Sequence, residues 1–212
     1  MTRVATRLLT PLCALAALFA LALPTFGHGT ASAQMPANRD VQVAEAVMAG
    51  PAGLRDGATV HGWTADGRSV TLRRGTNDLV CISDNPTQNG WSVACYPTSI
   101  EPYMVRGREL SAQGVTDSQE RLRIRWAEAD AGTLAMPEDP ATVYILVGDG
   151  FDAAKGEVLN SFLRWAIYVP WATPETTGLS PQPLSEGAPW LMFPGTAGAH
   201  IMVTPPRSGS RD

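Results

Sequence analysis

Side chains able to do acid–base chemistry or to ligate a metal are scarce in this sequence. Apart from an N-terminal stretch that reads as a leader, the only histidines are His61 and His200. A general base or a zinc ligand would have to be one of these or a carboxylate. His200 is the better candidate, because it follows the glycine-bearing stretch 194–198, where backbone N–H groups can approach a ligand. Both histidines fall on predicted strands, where a histidine is more often packed and hydrogen-bonded than reactive. The sequence contains no H-E-x-x-H, no G-x-S-x-G and no Walker loop, so hydrolysis by a serine nucleophile has no anchoring motif. No spacing marks a carboxylate pair for glycoside hydrolysis.

Two glycine- and acid-bearing patterns carry less. Gly148-Asp149-Gly150-Phe151-Asp152-Ala153 formally matches G-x-G-x-x-A. A dinucleotide site needs a helix directly behind that loop, and Lys155-Gly156 interrupts it. An aspartate in the loop would also repel pyrophosphate, so a hairpin is expected. Asp149, Asp152 and Glu157 offer hard oxygen ligands for Ca²⁺, but not at EF-hand spacing. No metal and no cofactor is assigned.

The sequence has six tryptophans. Most should be core, since Trp buries a large area. Trp171 and Trp190 lie in a proline-rich stretch, where aromatic rings beside loops line ligand clefts. Together with His200 they are the predicted ligand-binding residues, rimming a cleft between a sheet and the segment 170–198.

The elements that must position these residues follow from hydrophobic period and turn chemistry. Residues 39–49 read as a helix with Val43, Ala46 and Val47 on one face, stopped by Gly50-Pro51. Strands are expected at 58–64, 69–74, 78–83 and 91–96, forming an antiparallel meander. Thr98 with Glu101 reads as a capping box opening a helix that runs to Gly114. Asp117 with Glu120 opens a second helix. The continuous apolar run 141–147 reads as a central strand, and 157–169 as its single long partner. Short strands follow at 190–193 and 199–204. The result is one α+β domain over 34–206, with a mostly antiparallel sheet that can curl toward a barrel and a helical pair packed on one side. The tail 207–212 is expected to be disordered.

The 212 residues carry 16 Lys+Arg against 20 Asp+Glu, a formal net charge of −4. That balance argues against a nucleic-acid binder, which needs a cationic surface. Arg3 and Arg7 precede the apolar run Leu12 to Leu23, which is too short to span a bilayer comfortably, and Ala31-Ser32-Ala33 fits a cleavage site. Residues 1–33 therefore read as a signal peptide, and no stable membrane span is expected after its removal. The destination is periplasmic or secreted. Cys81 and Cys95 remain, and in an oxidising compartment such a pair is expected to form a disulfide. The turn signals Asp84-Asn85-Pro86 and Asn89-Gly90 let the chain fold back between them.

Three stretches carry a resemblance. They are Gly75-Thr76-Asn77-Asp78-Leu79-Val80-Cys81 with Ala94-Cys95-Tyr96, Arg164-Trp165-Ala166-Ile167-Tyr168-Val169-Pro170 with Trp171-Ala172-Thr173-Pro174-Glu175, and Ala188-Pro189-Trp190-Leu191-Met192-Phe193-Pro194-Gly195-Thr196 through Met202. In these the chain resembles a group of uncharacterised exported bacterial proteins. The resemblance implies export and a single domain; it has no assigned activity and transfers no catalytic residue. The leading expectation for function is a binding module for a small molecule or an envelope component. The alternatives are a small periplasmic enzyme, such as a metal-assisted hydrolase, using His200 and a carboxylate, and a structural envelope protein.

Overall fold

The structure, a computed structural model, describes residues 38–207. The expected signal peptide at 1–33 and residues 208–212 of the expected tail lie outside the described residues. Helix α1 (Arg39–Ala46) continues into one tighter turn at Val47–Ala49. Strands β1 (Thr59–Trp63), β2 (Ser69–Arg73), β3 (Leu79–Ile82) and β4 (Trp91–Pro97) follow. After a turn at Thr98–Ile100 come helices α2 (Glu101–Ala112) and α3 (Ser118–Asp130). Strands β5 (Ala141–Gly148), β6 (Gly150–Asp152), β7 (Glu157–Leu159) and β8 (Phe162–Tyr168) come next. The short helix α4 (Pro174–Thr177) and strands β9 (Trp190–Met192) and β10 (His200–Val203) complete the described chain.

Eight strands form one sheet in the order β2-β1-β3-β4-β5-β8-β10-β9, and β6 and β7 make a separate hairpin. The fold is α+β, and its sheet is mostly antiparallel. It is not a barrel: β2 and β9 are open edges, and closure would require them to pair. The meander expected for the first strands is also broken. β3 pairs with β1, not β2, and therefore runs parallel to it. The link from β2 must then cross the start of β1. Gly75 makes that crossing possible, because a Cβ there would collide with the backbone of Ala58 and Thr59. The Thr76 and Asn77 N–H groups both donate to the Gly57 carbonyl, which pins the crossover.

Strand alternation divides the core into two faces. Cys81, Val93, Cys95 and Leu146 cluster with Ala46 and Ala49 on one side. Val80, Tyr96, Val143 and Ala166 cluster with Ile100 and Tyr103 on the other. On that second side Tyr103 meets Tyr168 edge-on at 5.8 Å, and the Trp126 indole donates to the Tyr103 hydroxyl at 3.2 Å.

Three local expectations change. The single strand over 157–169 is two strands, β7 and β8, because Asn160 turns the chain at φ +48° and its amide donates to Asp149. The buried face of α1 is Gln42, Glu45 and Ala46; Val43 is only half-buried. Gln42 can be inside because its amide is fully paired. Its oxygen accepts from the Trp63 N–H and the Ser83 hydroxyl, and its nitrogen donates to Asn38 and to the Trp63 carbonyl. Finally, the α2 N-terminus has no side-chain cap, so Thr98 and Glu101 form no capping box.

Candidate functional site

The three residues predicted to share a cleft occupy three different places. His200 starts β10 and is only 7% exposed. Its Nδ1–H donates to the Gly198 carbonyl at 2.8 Å. Its ring stacks on Tyr168 at 4.9 Å and meets the edge of Phe193 at 5.7 Å. Burial holds its pKa below the ordinary histidine range, although the Gly198 carbonyl opposes that shift. The result is a neutral, packed imidazole with no carboxylate partner among the described residues, which is poor equipment for acid–base work. Trp171 is 46% exposed, adopts φ +58° and donates its indole N–H to Asp130 at 2.8 Å. It flanks a shallow depression of about 670 Å³ with Met136, Pro140 and Pro170. Trp190 pairs with Met202 across β9 and β10 and flanks a separate depression of about 630 Å³ beside Gly187 and Pro205. Neither depression includes His200.

The other histidine sits in a richer setting. The β1 alternation buries Val60 on one face and turns His61 to the opposite face, toward α2. There the His61 Nε2 lies 3.2 Å from Glu101 Oε1, while its Nδ1 lies 3.3 Å from the Thr71 hydroxyl on β2. The same Glu101 oxygen accepts from Arg108 Nη2 at 2.7 Å. Arg108 Nη1 then donates to the Tyr96 hydroxyl on β4 at 2.8 Å. The five side chains thus form one chain: hydroxyl, imidazole, carboxylate, guanidinium, phenol.

Its electrostatics follow from burial and pairing. Burial raises the Glu101 carboxyl, but the His61 hydrogen bond, the Arg108 charge and the Tyr96 hydroxyl together hold it below the usual carboxylate range. Glu101 is therefore an anion at neutral pH and can only accept. That places a proton on His61 Nε2. In the neutral ring Nδ1 is then the bare nitrogen, aimed at the Thr71 hydroxyl. Burial pushes the Tyr96 phenol well up, so it stays neutral. The second carboxylate oxygen, Oε2, is buried without a hydrogen bond that satisfies it.

This network opens on a groove of about 730 Å³ between the β1–β2 hairpin and α2. Trp63 and Val105 supply apolar wall, and His61, Thr71 and Arg108 supply polar atoms. At the rim Arg68 Nε donates to Asp66 at 2.8 Å. Both cations of the groove are therefore matched by a carboxylate of the same site. The arrangement can orient a small polar group and move a proton between a hydroxyl and an imidazole.

Sequence reasoning assigned Glu101 to the wrong partner. It sits three residues after Thr98, at capping-box spacing, but the tight turn at 98–100 moves the helix start past Thr98 and frees the carboxylate. The usable signal was the helical stripe Glu101, Val105, Arg108, Ala112, whose spacing puts an acid and a base on one face. Thr71 carried no signal, because its role depends on the β1–β2 register, which sets it opposite His61. At the loop 149–157, Asp152 caps the Ala154 and Lys155 N–H groups, and no group of three or more potential metal ligands occurs among the described residues.

Compared with protein-family models, curated proteins and solved structures, the chain finds no match.

Proposed function

We propose that this protein is an exported small-molecule-binding module whose binding site is the groove between the β1–β2 hairpin and α2. The observation that carries this reading is the half-buried His61–Glu101–Arg108 network at the wall of that groove. Desolvating three ionisable groups is costly, and replacing them with apolar residues would often stabilise a fold as well or better. Their placement beside a groove of ligand size, with Trp63 and Val105 as apolar wall, is the composition of a small-molecule site. The matched charges favour an uncharged ligand with an apolar body and one hydrogen-bonding group. Export is supported by the leader-like sequence at 1–33 and by the Cys81–Cys95 disulfide, which suits an oxidising compartment.

The test is a fragment screen read by amide and indole chemical shifts. Binders should perturb Trp63, Thr71 and Val105, and His61→Ala should weaken them about tenfold or more. Binders that map only to the depressions beside Trp171 or Trp190, or that ignore His61→Ala, would sink the assignment.

A further inference from the structure

The Thr71–His61–Glu101 alignment supports more than binding. Resting on the groove reading above, we propose that this site is an acyl-transfer centre that hydrolyses small uncharged carboxylic esters. Thr71 is its nucleophile, His61 its general base and acid, and Glu101 the residue that positions His61.

The argument is geometric. A hydroxyl becomes a nucleophile when a base can take its proton and a third group fixes that base. Thr71 is exposed in the groove, with its Oγ1 3.3 Å from His61 Nδ1. That is long for a tight hydrogen bond, but such contacts are often loose without substrate. The ionised Glu101 takes the Nε2–H side of the ring at 3.2 Å, which leaves the Nδ1 lone pair facing Thr71. In serine hydrolases the carboxylate holds Nδ1 and the hydroxyl meets Nε2; here the two nitrogens exchange roles, and the order hydroxyl, imidazole, carboxylate is kept. Arg108 holds Glu101 from behind at 2.7 Å.

An oxyanion donor is also in place. β2 is an edge strand. The Thr64 N–H donates to the Arg68 carbonyl, and the His61 carbonyl accepts from the Ser83 N–H, on the side of β1 away from β2. Alternation from there makes His61 and Thr71 a non-hydrogen-bonded pair, whose N–H groups point away from each other. The Thr71 N–H therefore faces outward from the edge, free to donate to an oxygen developing on a carbon attached to its own Oγ1.

The reaction balances without a co-reactant other than water. Thr71 Oγ1 attacks the ester carbonyl carbon as its proton passes to His61 Nδ1. The bond to the leaving alkoxide breaks, and His61 returns the proton to that oxygen. Water then attacks the acyl-Thr71 ester, giving a proton to His61; the bond to Oγ1 breaks, and the proton returns to Thr71. The products are one acid and one alcohol. Phosphoryl transfer is disfavoured, since the two arginines lining the groove among the described residues, Arg68 and Arg108, are both engaged by carboxylates.

The experiment uses the purified oxidised protein with p-nitrophenyl acetate and p-nitrophenyl butyrate. Turnover is followed alongside intact mass and shift titration of the groove. The expected result is saturable hydrolysis and a single acyl group on Thr71. Thr71→Val, which keeps the branched shape at an exposed edge position, should lose roughly 10²–10⁴-fold in kcat. Glu101→Gln should lower kcat more than it raises KM and move the acidic limb of the kcat–pH profile, where the general base is lost, which a purely structural role would leave in place. Melting curves of the variants show whether each is folded. Groove shifts with the butyrate ester but turnover no faster than in Thr71→Val would overturn catalysis and leave the binding reading standing. An acyl group found on His61 would likewise overturn the role of Thr71. Neither shifts nor turnover would remove both readings for this ligand class.

Discussion

The Trp91 indole N–H donates to Glu45 Oε2 at 3.3 Å, on the face of the sheet opposite His61 and inside the layer beneath α1. No salt bridge reaches Glu45 among the described residues, and its negative neighbour is Asp84. Burial raises the Glu45 carboxyl, Trp91 opposes that, Asp84 adds to it, and the result is a pKa of about 7. The molecule thus carries two half-buried or buried carboxyls with opposite habits. Glu101 is held ionised by its partners, and burial raises Glu45 enough that it takes up its proton near neutral pH.

Glu45 gives the fold a stability that declines as pH rises. Its pKa is 4.5 in an unfolded reference and about 7 in the folded protein. Between those values the folded state binds the proton more firmly, so stability falls as pH climbs through that window and stays lower above it. The full difference is roughly 3 kcal/mol at one unit per 1.36 kcal/mol. Glu45→Gln keeps the size and a Trp91 partner but cannot ionise. Urea unfolding at about pH 5 should show the two proteins close together. At about pH 8 the variant should be more stable by roughly 1–3 kcal/mol. Equal pH slopes would show that Glu45 is ionised in the folded protein.

Glu101 gives the reverse slope. Its folded pKa is lowered, so its contribution is present above the ordinary carboxylate pKa and is lost as pH falls through the folded value. Glu101→Ala leaves the Arg108 charge without its carboxylate and His61 without its acceptor. Breaking such a partly buried pair should cost about 2–4 kcal/mol near neutral pH, with the gap to wild type closing under acid conditions. A second substitution, Arg108→Met, made on the Glu101→Ala background should recover part of the loss, because it removes the stranded cation. Failure to recover any of it would mean that Glu101 stabilises the fold through something other than this pair.

The sequence pattern carried the strands well and the strand order poorly. Apolar alternation located β1 to β4 within a residue or two, because burial of one face is a local property of each segment. Placing β3 beside β1 instead of β2 depends on Gly75 passing over the Thr59 backbone, a contact that no periodicity reports. The site followed the same rule. His61 was visible as a residue type, but its partners come from β2, β4 and α2, and their meeting is a matter of register. His200 looked better in sequence because of the glycines before it. In the fold, Gly198 instead lets Trp126 and Tyr103 approach the backbone, and His200 is packed behind them against Tyr168.

Gly198→Ala tests that packing. A Cβ there would overlap the Trp126 indole nitrogen and come within 3.0 Å of the Tyr103 hydroxyl. The indole would have to shift and lose its hydrogen bond to Tyr103. Overpacking of this kind should cost about 1–3 kcal/mol. Thermal unfolding gives the loss, and the Trp126 indole resonance should move even where the fold survives. An unchanged melting temperature would show that the loop 194–198 can move away at little cost.

The disulfide should behave as a buried crosslink. Cys81 and Cys95 face each other directly across β3 and β4, both fully buried, with Cys95 Sγ 3.4 Å from the Ala46 carbonyl and Gly50 close above it. Closing a loop of 14 residues restricts the unfolded chain by about 3 kcal/mol in the chain-entropy model. Replacing both cysteines by alanine removes that restriction and also leaves a small void in the layer beneath α1. The double variant should fold with a stability lower by about 3–5 kcal/mol, with the β3–β4 ladder intact. Since neither sulfur reaches solvent, thiolate attack in the wild type has to wait for the sheet to open. Reduction by dithiothreitol under native conditions should therefore proceed at the rate of global unfolding and speed up with urea in parallel with it. Reduction that is fast and independent of urea would show that α1 and the turn after it lift from the sheet while β3 and β4 stay paired.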